Sequence, residues 1–280
     1  VYAGAIMKEM GLLDGLQVWM VGSVMEEDCD GLCWNYILQE GVLKPECVIS
    51  TEPTGLRLHR GQRGRMEIRV RVKGRSCHGS MPHLGDNAIY KINPAIEAVK
   101  NLNDRLKDDP FLGKGTCTIT WIGSKSPSLC AVADEAEFHI DRRLTVGETR
   151  ESAIVEVEEA LKEAGVEAEV FTLTYEEKAW TGVVYAMDKY YPTWTTPEDD
   201  PAVQACFRAA RAATGEDPEI ARWNFSTNGV AIAGLHGVTC LGFGPGQEEV
   251  AHMANEWVPI DDVVTACAVY AGLPGEFARG

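Results

Sequence analysis

Two different rhythms of apolar and polar positions run along this chain. In the opening stretch VYAGAIMKEMGLL, Met7, Met10 and Leu13 follow helical spacing, and Gly11 marks a stop. Residues 16–21 (LQVWMV) are a continuous apolar run of strand length, which predicts a strand buried on both faces. The acidic loop GSVMEEDCDG follows, then a helical stretch through Trp34 and Leu38 that ends near Gly41. CVIST at 47–51 reads as a second short strand, running straight into Glu52 and Pro53. Strand, acidic loop, helix, strand, acidic loop is the rhythm of an open, mostly parallel sheet. Ligands of such sheets gather beyond the carboxyl ends of the strands, where both acidic loops fall.

Near Leu58 the pattern changes. Met66, Ile68, Val70 and Val72 alternate with Glu67, Arg69, Arg71 and Lys73, as in a strand of an antiparallel sheet with one wet face. A helix over 87–107 gathers Ile89, Ile92, Ile96, Val99 and Leu106 on one side. Strands are predicted at 116–122, 136–144 and 168–175, with an amphipathic helix over 151–164. This mixture fits an α+β layer inserted into a larger α/β body, the borders falling at 1–57, 58–175 and 176–280. PTWTTPEDDP at 192–201 reads as a return linker. A helix (202–213), an apolar helical turn (229–234), a strand (238–243) and a last helix from Asp261 complete the body.

Composition narrows the function more than the fold. With 26 Lys and Arg against 42 Asp and Glu, the formal charge is −16, which argues against a nucleic-acid or anionic-membrane binder. No apolar run reaches the ~18 residues of a membrane-spanning helix. The nine cysteines lack zinc-finger spacing, and Cys29 and Cys33 are separated by three residues rather than the two of a redox motif, so reduced thiols and a cytoplasmic setting are expected.

Candidate chemistry sits on the predicted rim. Adjacent Glu26 and Glu27 point in different directions, so one carboxylate can ligate a metal while the other faces a water. The plain alternative is a solvated acidic loop. Glu52, at the tip of the next strand, adds a third carboxylate, and His252 follows a Gly-rich turn after the 238–243 strand. A lone His is most often structural, but Glu27, Glu52 and His252 all lie at or just beyond predicted strand ends.

The stretches SVMEEDCDG, ISTEPT, KGRSCHGSMPHLGDNAI, HIDRRLTVGET, NFSTNG and GFGPG with AHMANEWV resemble, in order, the zinc-dependent aminoacylase, acetylornithine deacetylase and succinyl-diaminopimelate desuccinylase family of metallopeptidases. RSCHGS, SPSLCAVAD and IDRRLTVGET are most similar to its branch of selenium-metabolism-linked hydrolases. The resemblance implies an open-sheet catalytic domain with an inserted lid that also forms a homodimer. It implies two divalent metal ions, zinc first with cobalt or manganese as alternatives. The implied activity is cleavage of an amide bond in N-acyl amino acids, dipeptides or similar small carboxylate-bearing substrates.

By the same resemblance, Glu26 is the general base, Glu27 and His252 hold one metal, and Glu52 helps hold the second. His78 polarises the scissile carbonyl of a substrate held by the partner subunit; its plain alternative is a satisfied imidazole in a Gly-rich turn. Asn87, Arg143 and the turn Ser226, Thr227, Asn228 and Gly229 would contact substrate, Arg143 through its carboxylate. Arg143 also has an ordinary partner available in Asp141. The family's bridging Asp and a further His would lie upstream of Val1, so residues 1–280 alone are expected to be hydrolytically dead. Two departures stand out: Asn228 where members often carry Asp, and Cys130 where many carry Asn. Two rival readings are a non-catalytic binding or dimerisation relative without a complete metal site, and a cysteine hydrolase using Cys77 beside His78.

Overall fold

The computed structural model describes residues 1–279, which divide into two compact units: Val1–Gln62 together with the chain from Trp194 onward, and Arg63–Thr193. The first unit opens with α1 (Tyr2–Glu9), α2 (Leu32–Gln39), β1 (Cys47–Ser50) and β2 (Leu58–Gln62). The second contains β3 (Gly64–Lys73), α3 (Ala88–Arg105), β4 (Thr116–Lys125), β5 (Glu135–Leu144), α4 (Arg150–Glu163) and β6 (Glu169–Thr172). It ends with the short strands β7 (Thr174–Tyr175), β8 (Met187–Asp188) and β9 (Tyr190–Tyr191). The first unit resumes with β10 (Trp194–Thr195), α5 (Pro201–Thr214), β11 (Ile220–Trp223), β12 (Thr239–Gly242) and α6 (Ile260–Ala278).

The fold is α/β, and the longest pairings in the first unit's sheet are parallel. β1 runs parallel to β12, from Cys47 opposite Thr239 to Ser50 opposite Gly242. β11 runs parallel to β2, while β10 and the single Gly242–His59 pairing of β12 with β2 are antiparallel. Leu58, Leu241 and Phe243 from this sheet pack against α5 and α6. α5 forms because Asp200 caps it, its side chain accepting from the Ala202 N–H at 2.8 Å, with Pro201 in the first turn and left-handed Gly215 after the last. Its buried positions Ala202, Val203, Cys206, Ala209 and Ala210 repeat at helical spacing, and α1 packs Ala3 and Met7 near Ala271 of α6.

One expected strand is missing. The 16–21 run has no regular structure, and Val18, Trp19 and Met20 are 47%, 67% and 60% exposed. A strand needs a ladder for its backbone groups, and among the described residues none pairs with this run. Apolar length alone was the signal, and length does not supply a neighbour.

The unit borders also fall elsewhere than at 57/58 and 175/176. β2 pairs with β12, β11 and β10, so 58–62 belongs to the first sheet. β8 and β9 pair with β7 and β3, which keeps 187–191 in the second unit. The 168–175 strand breaks at Leu173, whose N–H bonds Glu67 while its carbonyl accepts from Lys189.

The second unit is an antiparallel sheet in the order β4-β5-β3-β6. Met66, Ile68, Val70 and Val72 are fully buried against α3 and α4, as the alternation predicts. Ile89 instead lies 46% exposed, because the helix begins at Ala88 and turns that position outward. Arg142 interrupts the buried face of β5, where it reaches Glu148 and Glu156 at 2.5 and 2.8 Å. A buried charge with both partners in place is tolerated; removing one partner leaves a costly orphan.

On the wet face, Glu67 lies 3.3 Å from His139 and 3.1 Å from Lys189. Burial opposes ionisation of Glu67 but is outweighed by hydrogen bonds from His139 and Lys189 and by the charges of Lys189 and Arg65, which hold it at about 2. A depressed carboxyl stabilises the fold above its unfolded value and loses that contribution as pH falls through the folded one. The expected outcome is a loss of up to roughly 3 kcal/mol between pH ~4.5 and ~2, with Glu67→Gln weakening the fold at neutral pH and flattening this acid limb. Urea unfolding followed across that pH range checks it.

Candidate active site

The acidic loop after residue 22 is pinned by one side chain. The Asn228 side-chain oxygen accepts from the Gly31 N–H at 3.1 Å, and its amide donates to Ser23 Oγ at 3.1 Å. Asn228 therefore spends both ends of its amide on the loop that carries Glu26 and Glu27. Within that loop Met25 has a left-handed φ of 61°, Glu26 is half-buried and Glu27 is exposed.

A second join sets Glu52 beside the loop that leads to His252. Thr54 is fully buried; its Oγ1 accepts from the Gly244 N–H at 3.0 Å and lies 2.7 Å from the Arg57 carbonyl to which it donates. The Gly55 and Leu56 N–H groups donate to the carbonyls of Gly246 and Gly244. A Cβ at Gly244 would sit 2.2 Å from the Glu52 carbonyl oxygen, so only glycine lets the two segments approach. Glu52 is half-buried, and its carboxyl is pushed up first by burial and then by the charge of Glu27, against the opposing charge of His252. His252 is itself left-handed, with a φ of 61°, a strained conformation of the kind that clusters at working sites.

Glu27 and His252 meet. His252 Nε2 lies 3.5 Å from Glu27 Oε1. Two ligands of one tetrahedral zinc, each at ~2.0–2.1 Å, are separated by about 3.4 Å, so this pair has the spacing of co-ligands. Glu52 is close enough to feel both charges, yet among the described residues no three His, Cys, Asp or Glu side chains converge as a complete metal set. The donor chemistry and the spacing fit a divalent ion held in part by this chain.

The polar turn 226–229 is held by a residue that sequence reasoning passed over. Buried Gln62 donates through Nε2 to Ser226 Oγ at 3.2 Å and accepts from Thr227 Oγ1 at 2.6 Å. Thr227 Oγ1 in turn accepts from the Gly229 N–H at 3.1 Å. A Cβ at Gly229 would lie 2.5 Å from the Trp194 indole, so the turn and the first residue of β10 close on each other.

In the second unit, His78 is exposed and pairs across an isolated bridge with Ala131. Its Nδ1 faces the Ser80 N–H at 3.1 Å and Ser80 Oγ at 2.7 Å. Neighbouring Cys77 Sγ lies 3.2 Å from the Met81 carbonyl and 3.6 Å from the His78 carbonyl, and adjacent residues rarely meet in nucleophile–base geometry. Asn87 caps α3, accepting from the Ile89 N–H at 3.0 Å, and with Gly79, Tyr90 and Cys130 it lines an open cleft of about 660 Å³. Arg143 lies bidentate on Asp141, at 2.7 and 3.1 Å, so its guanidinium fork is already engaged.

Residues 60–169 match the M20 peptidase dimerisation domain. Over 274 residues the chain is 48% identical to the uncharacterized protein YgeY of Escherichia coli K12, spanning 98% of this chain and 68% of YgeY. The chain belongs to the M20 aminoacylase and deacetylase family. It is 27% identical to acetylornithine deacetylase of Klebsiella pneumoniae, across 80% of this chain and 55% of that enzyme. A similar fold is seen in a tripeptidase from Staphylococcus aureus, with a TM-score of 0.66 at 20% identity over 92% of this chain and 63% of that one. An M20 metallo-carboxypeptidase from Sulfolobus solfataricus gives 0.63 at 16% identity over 88% and 67%.

In the first unit Glu27 and His252 thus meet, Glu52 lies near enough to feel both charges, and Glu26 sits on the loop of Glu27. Asn228 and Thr227 serve the packing of that loop and turn. Ser23 and Thr54, which build this arrangement, sit inside the quoted stretches SVMEEDCDG and ISTEPT without having been singled out, and Gln62 lies outside every quoted stretch. Gly229→Ala is expected to cost about 1–3 kcal/mol through the Trp194 contact, read by chemical denaturation. Asn228→Ala leaves the Gly31 N–H without its acceptor and is expected to speed amide exchange across 23–31, at a cost of about 1–3 kcal/mol.

Proposed function

We propose that the protein is a metal-dependent amidohydrolase that cleaves the amide bond of N-acyl amino acids, dipeptides or similar small carboxylate-bearing substrates. The 3.5 Å approach of His252 and Glu27, with Glu52 beside them, carries the reading. Glu27 and His252 hold one divalent ion and Glu52 contributes to a second, zinc suiting the nitrogen and carboxylate donors. When bound, such ions supply Lewis-acid stabilisation of charge developing on the substrate carbonyl.

Glu26 accepts the proton of the attacking water and returns it to the leaving amine. His78 donates a hydrogen bond to the carbonyl oxygen as charge builds there. Arg143 takes the substrate carboxylate by exchanging it for Asp141, a swap between like groups that keeps the fork filled. Ser226 and Gly229 border the substrate, and Asn87 lines its cleft. The protein works as a homodimer through the Arg63–Thr193 unit, a proposal supported by the match to a dimerisation domain. All nine cysteines are free thiols, which suits a cytoplasmic setting, and among the described residues no helix is long and apolar enough to cross a membrane.

The competing reading, a non-catalytic dimerisation relative, draws on the lack of a complete three-donor set among the described residues. One substitution separates the two. In the natural full-length protein, Glu26→Gln is expected to lower turnover at least ~10²-fold while metal content stays unchanged. Loss of the metals instead would make Glu26 a ligand. A wild-type protein with neither metal nor turnover would leave only the non-catalytic reading.

A further inference from the structure

We propose that Ser80 is a positioning residue that fixes His78 in the tautomer with its proton on Nε2, an inference that rests on the catalytic reading of His78. The Ser80 main-chain N–H lies 3.1 Å from Nδ1 of His78, and Ser80 Oγ lies 2.7 Å from the same atom. An amide N–H only donates, so Nδ1 must offer it a lone pair. A neutral imidazole carries one ring proton, which then sits on Nε2. The hydroxyl is able to donate or accept, and it turns its hydrogen to the same lone pair. The opposite tautomer would set the Nδ1 proton against the amide proton and forfeit that bond.

The arrangement is built into the backbone. The Gly79 N–H donates to the Cys130 carbonyl at 2.7 Å, and the Met81 N–H donates to the His78 carbonyl at 2.8 Å. His78 is thereby held in a bridge on one side and a tight turn on the other, with the amide of residue 80 folded back over its own ring.

The consequence is chemical. A carbonyl oxygen gaining negative charge needs a hydrogen-bond donor, and Nε2–H supplies one, while a bare Nε2 lone pair would repel it. Ser80 thus decides whether His78 offers a donor or an acceptor. Cys77 takes no part, since its sulfur is committed to the Met81 carbonyl.

The test reads the proton directly. The chain has six histidines, so ¹⁵N-histidine labelling gives a tractable two-bond nitrogen–proton spectrum, with His78 identified by its disappearance in His78→Gln. At a pH where the imidazoles are neutral, His78 is expected to show a bare Nδ1 and a protonated Nε2. Exposed His83 serves as the internal reference for an averaging imidazole. Ser80→Ala keeps the amide but loses the hydroxyl, and is expected to move the His78 signals toward averaging; Ser80→Thr is expected to restore them. Turnover should follow, with kcat down about two- to tenfold in Ser80→Ala and KM unchanged, as the competent fraction falls.

A His78 spectrum that is averaged like that of His83, a proton on Nδ1, or a Ser80→Ala spectrum identical to wild type overturns the proposal. Full turnover in His78→Ala sinks the catalytic reading instead, and leaves the tautomer result standing.

Discussion

The contact on which the rest of the first unit depends is the buried hydroxyl of Thr54 against Gly244. β1 and β12 run parallel, so the chain leaves both strands on the same rim, first toward Glu52 and then toward His252. Two loops leaving adjacent strands would ordinarily diverge into solvent. Here the Thr54–Gly244 bonds, with Gly55 and Leu56 bonding the carbonyls beyond, keep them side by side. Nothing larger than glycine fits at residue 244. The Asn228 amide does the same service for the third segment, the loop of Glu26 and Glu27. The acidic rim is thus assembled by neutral, buried hydrogen bonds, which pull charged groups together that would repel one another if left to choose.

The second unit solves a different problem. Its apolar face is packed by alternation, and its charged face is neutralised strand by strand, with Arg69 and Arg71 sharing Glu137 and Lys189 and His139 sharing Glu67. That ladder consumes the candidate substrate residue Arg143 as well, through Asp141. His78 stands apart from it, in a turn beyond β3 where, among the described residues, Ser80 supplies the partners at Nδ1. A side chain left exposed with one face tethered and one face open is suited to a transient contact with another molecule.

Much of this was legible from the chain. Period-two alternation predicted β3 and its buried face, and the positions of α4, α5, β5 and β12 followed from the apolar pattern. The candidate residues Glu27, Glu52 and His252 were found as strand-end acids and a histidine after a Gly-rich turn; Glu27 and His252 lie 3.5 Å apart and Glu52 feels both charges, while no complete three-donor set forms among the described residues. What stayed hidden depends on neighbours. The 16–21 run reads as a strand by composition, but pairing is a property of two segments. Gln62, Thr54 and Ser80 act through hydrogen bonds to residues near or far in sequence, and no periodicity announces such bonds. Asn228 had a substrate role by resemblance, and only the fold reveals that both ends of its amide are occupied.

The central claim is that Glu27, on the loop pinned by Asn228, and His252, beyond the Thr54 join, form part of a metal site. Zinc affinity, measured by competition against a chromophoric chelator, tests it most directly. The account predicts that the double substitution Glu27→Ala with His252→Ala abolishes zinc binding at this rim. It also predicts that Thr54→Val, which removes only the hydroxyl, weakens it about tenfold, the equivalent of roughly 1.4 kcal/mol, about the worth of one hydrogen bond. Zinc affinity left unmoved by the loss of both Glu27 and His252 would contradict the account.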